Sequence, residues 1–293
     1  MHWTTWLSVS GLTAIGFAGA GCAVVEHAPT PPAAPIYNDA SQPISAANGL
    51  SCDKPDAMGL SRIIEITTTS GPGFGAEEHF KGPDLLRDKE VVLTFDDGPR
   101  VGGTESILKA LDDQCLKATF FEIGQNAMAH SDVTRAVIAA GMTVGTHTWS
   151  HRNLAGLPHN KAVAQIERGI SAVTTAADGP IAPFFRFPDL QHTQRLVDYL
   201  GQRNIATISA DIDSRDFTMH TPAPVVESVI SQLQRRGKGI VLLHDFHKNT
   251  AEAVPELLRQ LKAGGYKIVH IVPKGALTTL ARYDDIVRHR KSP

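Results

Sequence analysis

Two adjacent carboxylates in Thr94-Phe95-Asp96-Asp97-Gly98-Pro99 and an H-x3-H pair in His147-Thr148-Trp149-Ser150-His151 are the residues best suited by type and spacing to do chemistry. Two imidazoles and one carboxylate make a three-ligand site for a divalent metal, with a coordination position left open for water. Such a metal brings the pKa of its water towards about 7 and so generates a nucleophile at neutral pH. Neighbouring side chains of an extended segment point to opposite faces, so Asp96 and Asp97 are expected to divide two tasks, metal binding and proton handling. Further along lie Arg186, the pair Asp213 and Asp216, and the pair His244 and Asp245. Cys22, Cys52 and Cys115 are too few and too scattered for a thiolate metal site, which leaves His and carboxylates as the ligands.

The elements that must position these groups show in the alternation of short β-branched or aromatic runs with amphipathic stretches. Strands are predicted at Arg62–Thr67, Val91–Phe95, Ala118–Ile123, Thr143–Thr146, Phe184–Phe187, Ala206–Ser209, Ile240–Leu243 and Lys267–Ile271. Helices are predicted at Thr104–Gln114, Ser131–Ala140, His159–Ala176, Thr193–Arg203, Pro224–Arg236 and Pro255–Ala263, with Ser131, Thr193 and Pro255 as starts and Gly141, Gly237 and Gly264 as stops. Repeated alternation implies an α/β protein with a parallel sheet and helices outside it, as a complete or distorted barrel or as a doubly wound open sheet. Each ionisable cluster falls at the carboxyl end of a strand, the rim on which parallel folds place their sites.

In this order the clusters resemble the polysaccharide deacetylases of carbohydrate esterase family 4, over roughly Leu86 to Val272. The resemblance implies a distorted (β/α) barrel of seven or eight parallel strands, similar to a TIM barrel. In TFDDGP it makes Asp96 the general base and Asp97 a metal ligand, and in HTWSH it makes His147 and His151 the other two ligands. In RFP, Arg186 would orient the base, and Asp189, which follows Pro188, would lend its backbone N–H to the oxyanion. DSRDF stands where the family has D-x-x-D-W, so Asp216 would orient the acid; in LLHD, Leu242 would line the acetyl pocket and His244 would be the general acid. KATFFEIG, from Lys117 to Gly124, is similar to the family's second barrel strand. Two departures bear on substrate choice: Asp189 replaces an aromatic residue and Phe217 replaces a tryptophan. Phe217, Pro188 and Trp149 are the remaining substrate-contact candidates, Trp149 as a sugar-stacking ring or as loop packing.

What the resemblance implies is hydrolysis of acetyl groups, N-acetyl before O-acetyl, from a cell-wall or extracellular polysaccharide. The metal would be Zn²⁺, with Co²⁺ or Ni²⁺ as alternatives. Rival readings are a non-catalytic glycan-binding protein on the same fold and a hydrolase of a small non-sugar amide. The polymer and the oligomeric state are left open.

The rest of the sequence frames this. With 293 residues and 28 basic against 30 acidic side chains, the chain lacks the cationic excess of a nucleic-acid binder. Residues 1–22 read as an export signal: Met1 to Val25 holds no Asp, Glu, Lys or Arg, and Leu7 to Ala20 is apolar or small. Gly19-Ala20-Gly21-Cys22 resembles a bacterial lipoprotein box, so membrane attachment through a lipidated Cys22 and simple cleavage both stand as routes to the envelope or periplasm. Residues 23–49 read as a Pro/Ala-rich tether and 50–293 as one catalytic domain with its motif core at about 86–272. In an exported chain Cys52 and Cys115 can pair or stay as separate buried thiols. Gly71 to Gly75 is expected to be a loop crossing near the rim and Arg87 to Glu90 a solvated turn. His192, His220 and His247 are expected to be surface histidines.

Overall fold

The computed structural model describes residues 52–76, 79–80 and 82–289; the expected export leader at 1–22, with Cys22, and the tether at 23–49 lie outside them. The described strands are β1 (Arg62–Thr67), β2 (Gly73–Phe74), β3 (Glu90–Asp96), β4 (Thr119–Glu122), β5 (Thr143–Thr146), β6 (Phe184–Phe185), β7 (Ala206–Ile208), β8 (Ile212–Asp213), β9 (Gly239–His244) and β10 (Lys267–Lys274). The helices are α1 (Gly103–Asp113), α2 (Gly124–Ala129), α3 (Ser131–Ala139), α4 (His159–Ala177), α5 (Gln194–Gln202), α6 (Pro222–Arg236), α7 (Lys248–Ala263) and α8 (Ala281–His289).

Every ladder among them is parallel. Pairing runs from β3 through β4, β5 and β6 to β7; the chain leaving β7 enters β8, β8 pairs with β9, and β9 returns to β3. The circuit is a distorted (β/α) barrel. β10 joins the amino end of β3 and carries β1, while β2 rides on β7.

Successive strand residues face opposite sides, and in a parallel barrel both sides are buried, which is why Val91-Val92-Leu93-Thr94-Phe95 is apolar almost throughout. Val92, Phe121, Phe184, Ile208 and Ile240 pack with one another inside. Leu93, Phe95, Phe120 and Val144 pack outwards against helix residues such as Ile107, Leu111, Ile166 and Ile170.

Several expectations are corrected. Helix α7 begins at Lys248, and Pro255 lies within it instead of opening it. A proline at N1 and a proline two turns further in leave similar local patterns, and here Ala251, Ala253 and Val254 bury an earlier turn. Gly73 and Phe74 are not loop but a two-residue strand opposite Thr207 and Ile208. Glu90 is not solvated: it is buried in a bidentate pair with Arg62, at 2.8 and 2.7 Å. Helices α2 and α8 and strand β8 went unpredicted; α2 and β8 are too short to show a period.

Cys52 and Cys115 form a disulfide, with Cα atoms 5.8 Å apart. It pins the amino-terminal arm just beyond α1 and closes a loop of 63 residues in the unfolded chain. Replacing both cysteines with serine is therefore expected to lower unfolding stability by about 2–4 kcal/mol, read by denaturant titration; an unchanged midpoint would refute the constraint.

Candidate active site

The carboxyl ends of β3, β5, β6 and β9 bring the predicted clusters together. Asp96 is the last residue of β3, opposite His244 in the β3–β9 ladder. Asp97 leaves the strand with φ 76°, and its carbonyl is held by Asn126 Nδ2 at 2.7 Å. That left-handed turn overrides the pleat argument: Asp96 and Asp97 do not face away from each other. Their carboxylates approach His147 Nε2 at 3.9 and 3.7 Å respectively, and Asp97 Oδ1 lies 3.4 Å from His151 Nε2.

The HTWSH segment is a tight loop, with Thr148 and His151 both at positive φ and the His151 N–H donating to Thr148 Oγ1. The loop seats on α4 at Gly169, where a Cβ would stand 2.5 Å from the Thr148 carbonyl carbon. Only a glycine permits that approach. His147 Nδ1 lies 2.7 Å from the Arg186 carbonyl, which fixes that nitrogen as the N–H and turns the Nε2 lone pair towards Asp97. Burial lowers the His147 pKa against the raising charges of Asp96 and Asp97, so the ring is held neutral, as a ligand must be.

These features fit a divalent metal. Asp97, His147 and His151 each offer a ligand atom, all within 4.8 Å of one another. Asp97 Oδ1 is buried and has no hydrogen-bond partner, an arrangement costly for a carboxylate unless a cation faces it.

Two pairs flank this trio. Arg186 is completely buried inside the barrel and donates through Nη1 to Asp96 Oδ1 at 2.8 Å and Thr94 Oγ1 at 2.7 Å. Nε and Nη2 donate to the carbonyls of Ile208 and Ser209, and the guanidinium lies 4.3 Å from the Phe121 ring centroid. Burial lowers the arginine's pKa, while Asp96 raises it. On the other side His244 Nδ1 meets Asp216 Oδ1 at 2.6 Å. Asp216 is buried and accepts also from the His244 N–H and Thr250 Oγ1. Burial opposes the His244 cation, but the hydrogen bond and charge of Asp216 prevail and raise its pKa to about 9. Asp216 is shifted the other way, lowered by His244 and Thr250 despite its burial.

Residues 85–208 match the sequence profile of the family described as polysaccharide deacetylase. The peptidoglycan-N-acetylglucosamine deacetylase PgdA of Listeria monocytogenes is 29% identical over 189 residues, 64% of this chain and 39% of that one. Chitin deacetylase 1 of Saccharomyces cerevisiae is 30% identical over 207 residues, 69% of this chain and 66% of that one. The solved peptidoglycan deacetylase Bd3279 of Bdellovibrio bacteriovorus superposes with a TM-score of 0.67 at 28% identity, over 75% of this chain and 60% of that one. The chain belongs to the polysaccharide deacetylase family.

It spans about 39% of the length of the Listeria relative. The family match contains Asp96, Asp97, His147, His151 and Arg186 and stops before Asp216 and His244, which the barrel brings to the same rim.

Among the substrate-contact candidates, Phe217 is 54% exposed and stands edge-on to the His244 ring, centroids 5.7 Å apart. Leu242 is buried on β9 opposite Thr94 and Asp213. Pro188 is buried, and Asp189 follows it at φ 56° with an exposed side chain that accepts from Asn153 Nδ2 at 3.3 Å. Of the two readings of Trp149, the packing one fits its surroundings: the residue is 9% exposed and packs with Ala172 and Val287, and the Arg168 guanidinium lies over its ring, 4.5 Å from the centroid. His192 is half-buried and stacked on Phe80, not free at the surface.

Sequence reasoning gave no role to Asp245. It is buried, accepts from Thr104 Oγ1 at 2.5 Å and lies against Gly98, where a Cβ would meet its Oδ2 at 2.2 Å. Burial, with Asp97 and Asp96 nearby, raises its pKa to about 7 against the Thr104 donor. Its place straight after His244 was the available signal; that it ties the carboxylate loop to α1 emerges only from packing.

Proposed function

We propose that this chain hydrolyses acetyl groups, N-acetyl above all, from a cell-wall or extracellular polysaccharide, and that it depends on a divalent metal, most readily Zn²⁺. The observation that carries this is the meeting on one rim of the Asp97–His147–His151 trio with a buried Arg186–Asp96 pair and a buried Asp216–His244 pair. Held by the trio, a divalent cation supplies Lewis-acid activation of water and acetyl carbonyl.

Asp96, fixed by Arg186, takes the proton from water as its oxygen attacks the acetyl carbon. The backbone N–H of Asp189 donates to the developing oxyanion, where charge appears only in the transition state. His244, cationic and aimed by Asp216, gives its proton to the leaving nitrogen as the C–N bond breaks, releasing acetate and a free amine. Leu242 lines the acetyl pocket and Phe217 walls the sugar. The disulfide supports an exported location, because such bonds persist in oxidising compartments. Among the described residues no helix is long and apolar enough to cross a membrane.

The test is acetate release from N-acetylated glycans by chelator-stripped and metal-reloaded protein. Turnover restored only on reloading is expected, and a loaded, folded protein that releases no acetate refutes the proposal.

The acid has its own signature. His244 is competent while protonated, so kcat/KM should fall as pH rises through about 9. In Asp216→Asn the strongest raising partner is gone while burial remains, and only Asp96 and Asp97 still favour the cation, so the alkaline limb should move down towards the ordinary histidine value of 6.5. An unmoved limb in the pH–rate profile would remove His244 as the acid.

A further inference from the structure

The two sides of the rim differ in charge and in apolar surface. On one, Asp189 exposes a carboxylate beside Asn153. On the other, beyond His244, rings follow in succession: His247 stands edge-on to His244 with centroids 5.9 Å apart, and Phe246 stands edge-on to His247, also at 5.9 Å. Phe246 is 41% exposed, and the exposed Arg100 lays its guanidinium over that ring, 4.6 Å from the centroid. Val101, next in sequence, is 58% exposed.

This surface is built. The Arg100 N–H donates to Thr104 Oγ1 at 2.8 Å, and Thr104 donates to the Asp245 carboxylate at 2.5 Å. One buried carboxyl thus links the backbone that carries Arg100 to the strand end that carries Phe246. An aromatic ring left partly in water suits the C–H face of a sugar ring, and a guanidinium flattened on an aromatic ring keeps its N–H edge free for a carboxylate. Lysine would offer the charge without the planar fork.

We propose that Arg100, Phe246 and His247 form a glycan subsite on the His244 side of the acetylated sugar, selecting a neighbouring sugar that bears a carboxylate. The proposal rests on the deacetylase reading of the same site. Asp189 repels that carboxylate on the opposite side, so the two sides set the direction of the polymer as well as its class. The acidic sugar lies towards Arg100, and a neutral sugar or a deacetylated, cationic one lies towards Asp189. The ion pair is exposed and screened, so its contribution is a selectivity of about five-fold rather than an absolute requirement.

The test measures glycan affinity by calorimetry on Asp96→Asn protein. Two N-acetylated oligosaccharides of equal length are compared, one neutral and one with a carboxylate on alternate sugars. The acidic one is expected to bind about five-fold tighter at low salt, with the preference shrinking as salt is added. Arg100→Gln should bring the ratio close to one, Arg100→Lys should keep part of it, and Phe246→Ala should weaken both ligands. Equal affinities, or a preference that survives Arg100→Gln in protein with an unchanged melting curve, overturn the subsite. Acetate release by the wild-type chain separates the two readings. Release without the preference refutes the subsite alone, whereas an Arg100-dependent preference without release refutes the deacetylase reading alone.

Discussion

Asp96→Asn is expected to lower kcat by about 10²–10⁴-fold while leaving metal affinity close to that of the unaltered chain. Asparagine keeps the shape of the side chain and an oxygen for Arg186, which now reaches Asp96 Oδ1 at 2.8 Å, but it cannot take a proton from water. The trio proposed to hold the metal is Asp97, His147 and His151, so its ligand atoms are untouched. His147→Ala should behave differently, losing metal and turnover together, because the ring that faces Asp97 is gone. Metal titration and acetate release on the same preparations make the comparison. Asp96→Asn protein with more than about a tenth of normal kcat would remove Asp96 as the base.

Arg186→Met should destabilise the fold by about 3–5 kcal/mol, because it strands the Asp96 carboxylate in the barrel without a counter-charge. It also leaves the carbonyls of Ile208 and Ser209 and the hydroxyl of Thr94 without their donor. Arg186→Lys should recover part of the charge and little of the hydrogen bonding, since one ammonium cannot span acceptors placed around a planar fork. The double variant Arg186→Met with Asp96→Leu should be more stable than Arg186→Met alone, since no buried charge then lacks a partner. Denaturant unfolding measures all three, and a single Arg186→Met variant as stable as the unaltered protein would contradict the burial argument.

The strand pattern was legible because barrel strands are buried on both faces. Runs such as Val91–Phe95 and Ile240–Leu243 need no alternation to stand out, and the structure extends them by only one residue at each end. Pieces of two residues, β2 and β8, carry too little pattern to be seen, though β8 closes the circuit onto β9. Helix α2 escaped for the same reason, and with it Asn126, whose side chain holds the Asp97 carbonyl. Trp149 shows the opposite difficulty: in a linear sequence a large ring between two ligand candidates reads equally as a sugar platform or as loop packing, and only in three dimensions is its loop seen to turn it onto α4.

The sequence by itself determined the order of strands and helices, the absence of a thiolate site and the clusters at strand ends, because residue type and period are local properties. Only the tertiary structure decided how those clusters face one another. A positive φ at Asp97 turns two carboxylates towards one imidazole, and Gly169 lets the histidine loop settle on α4. Packing places Arg186 where burial and Asp96 act on it together, and sets Asp216 against His244 so that one of the two holds a proton beyond neutral pH. Those relations depend on distance and desolvation between residues up to 90 positions apart, quantities that no local pattern encodes.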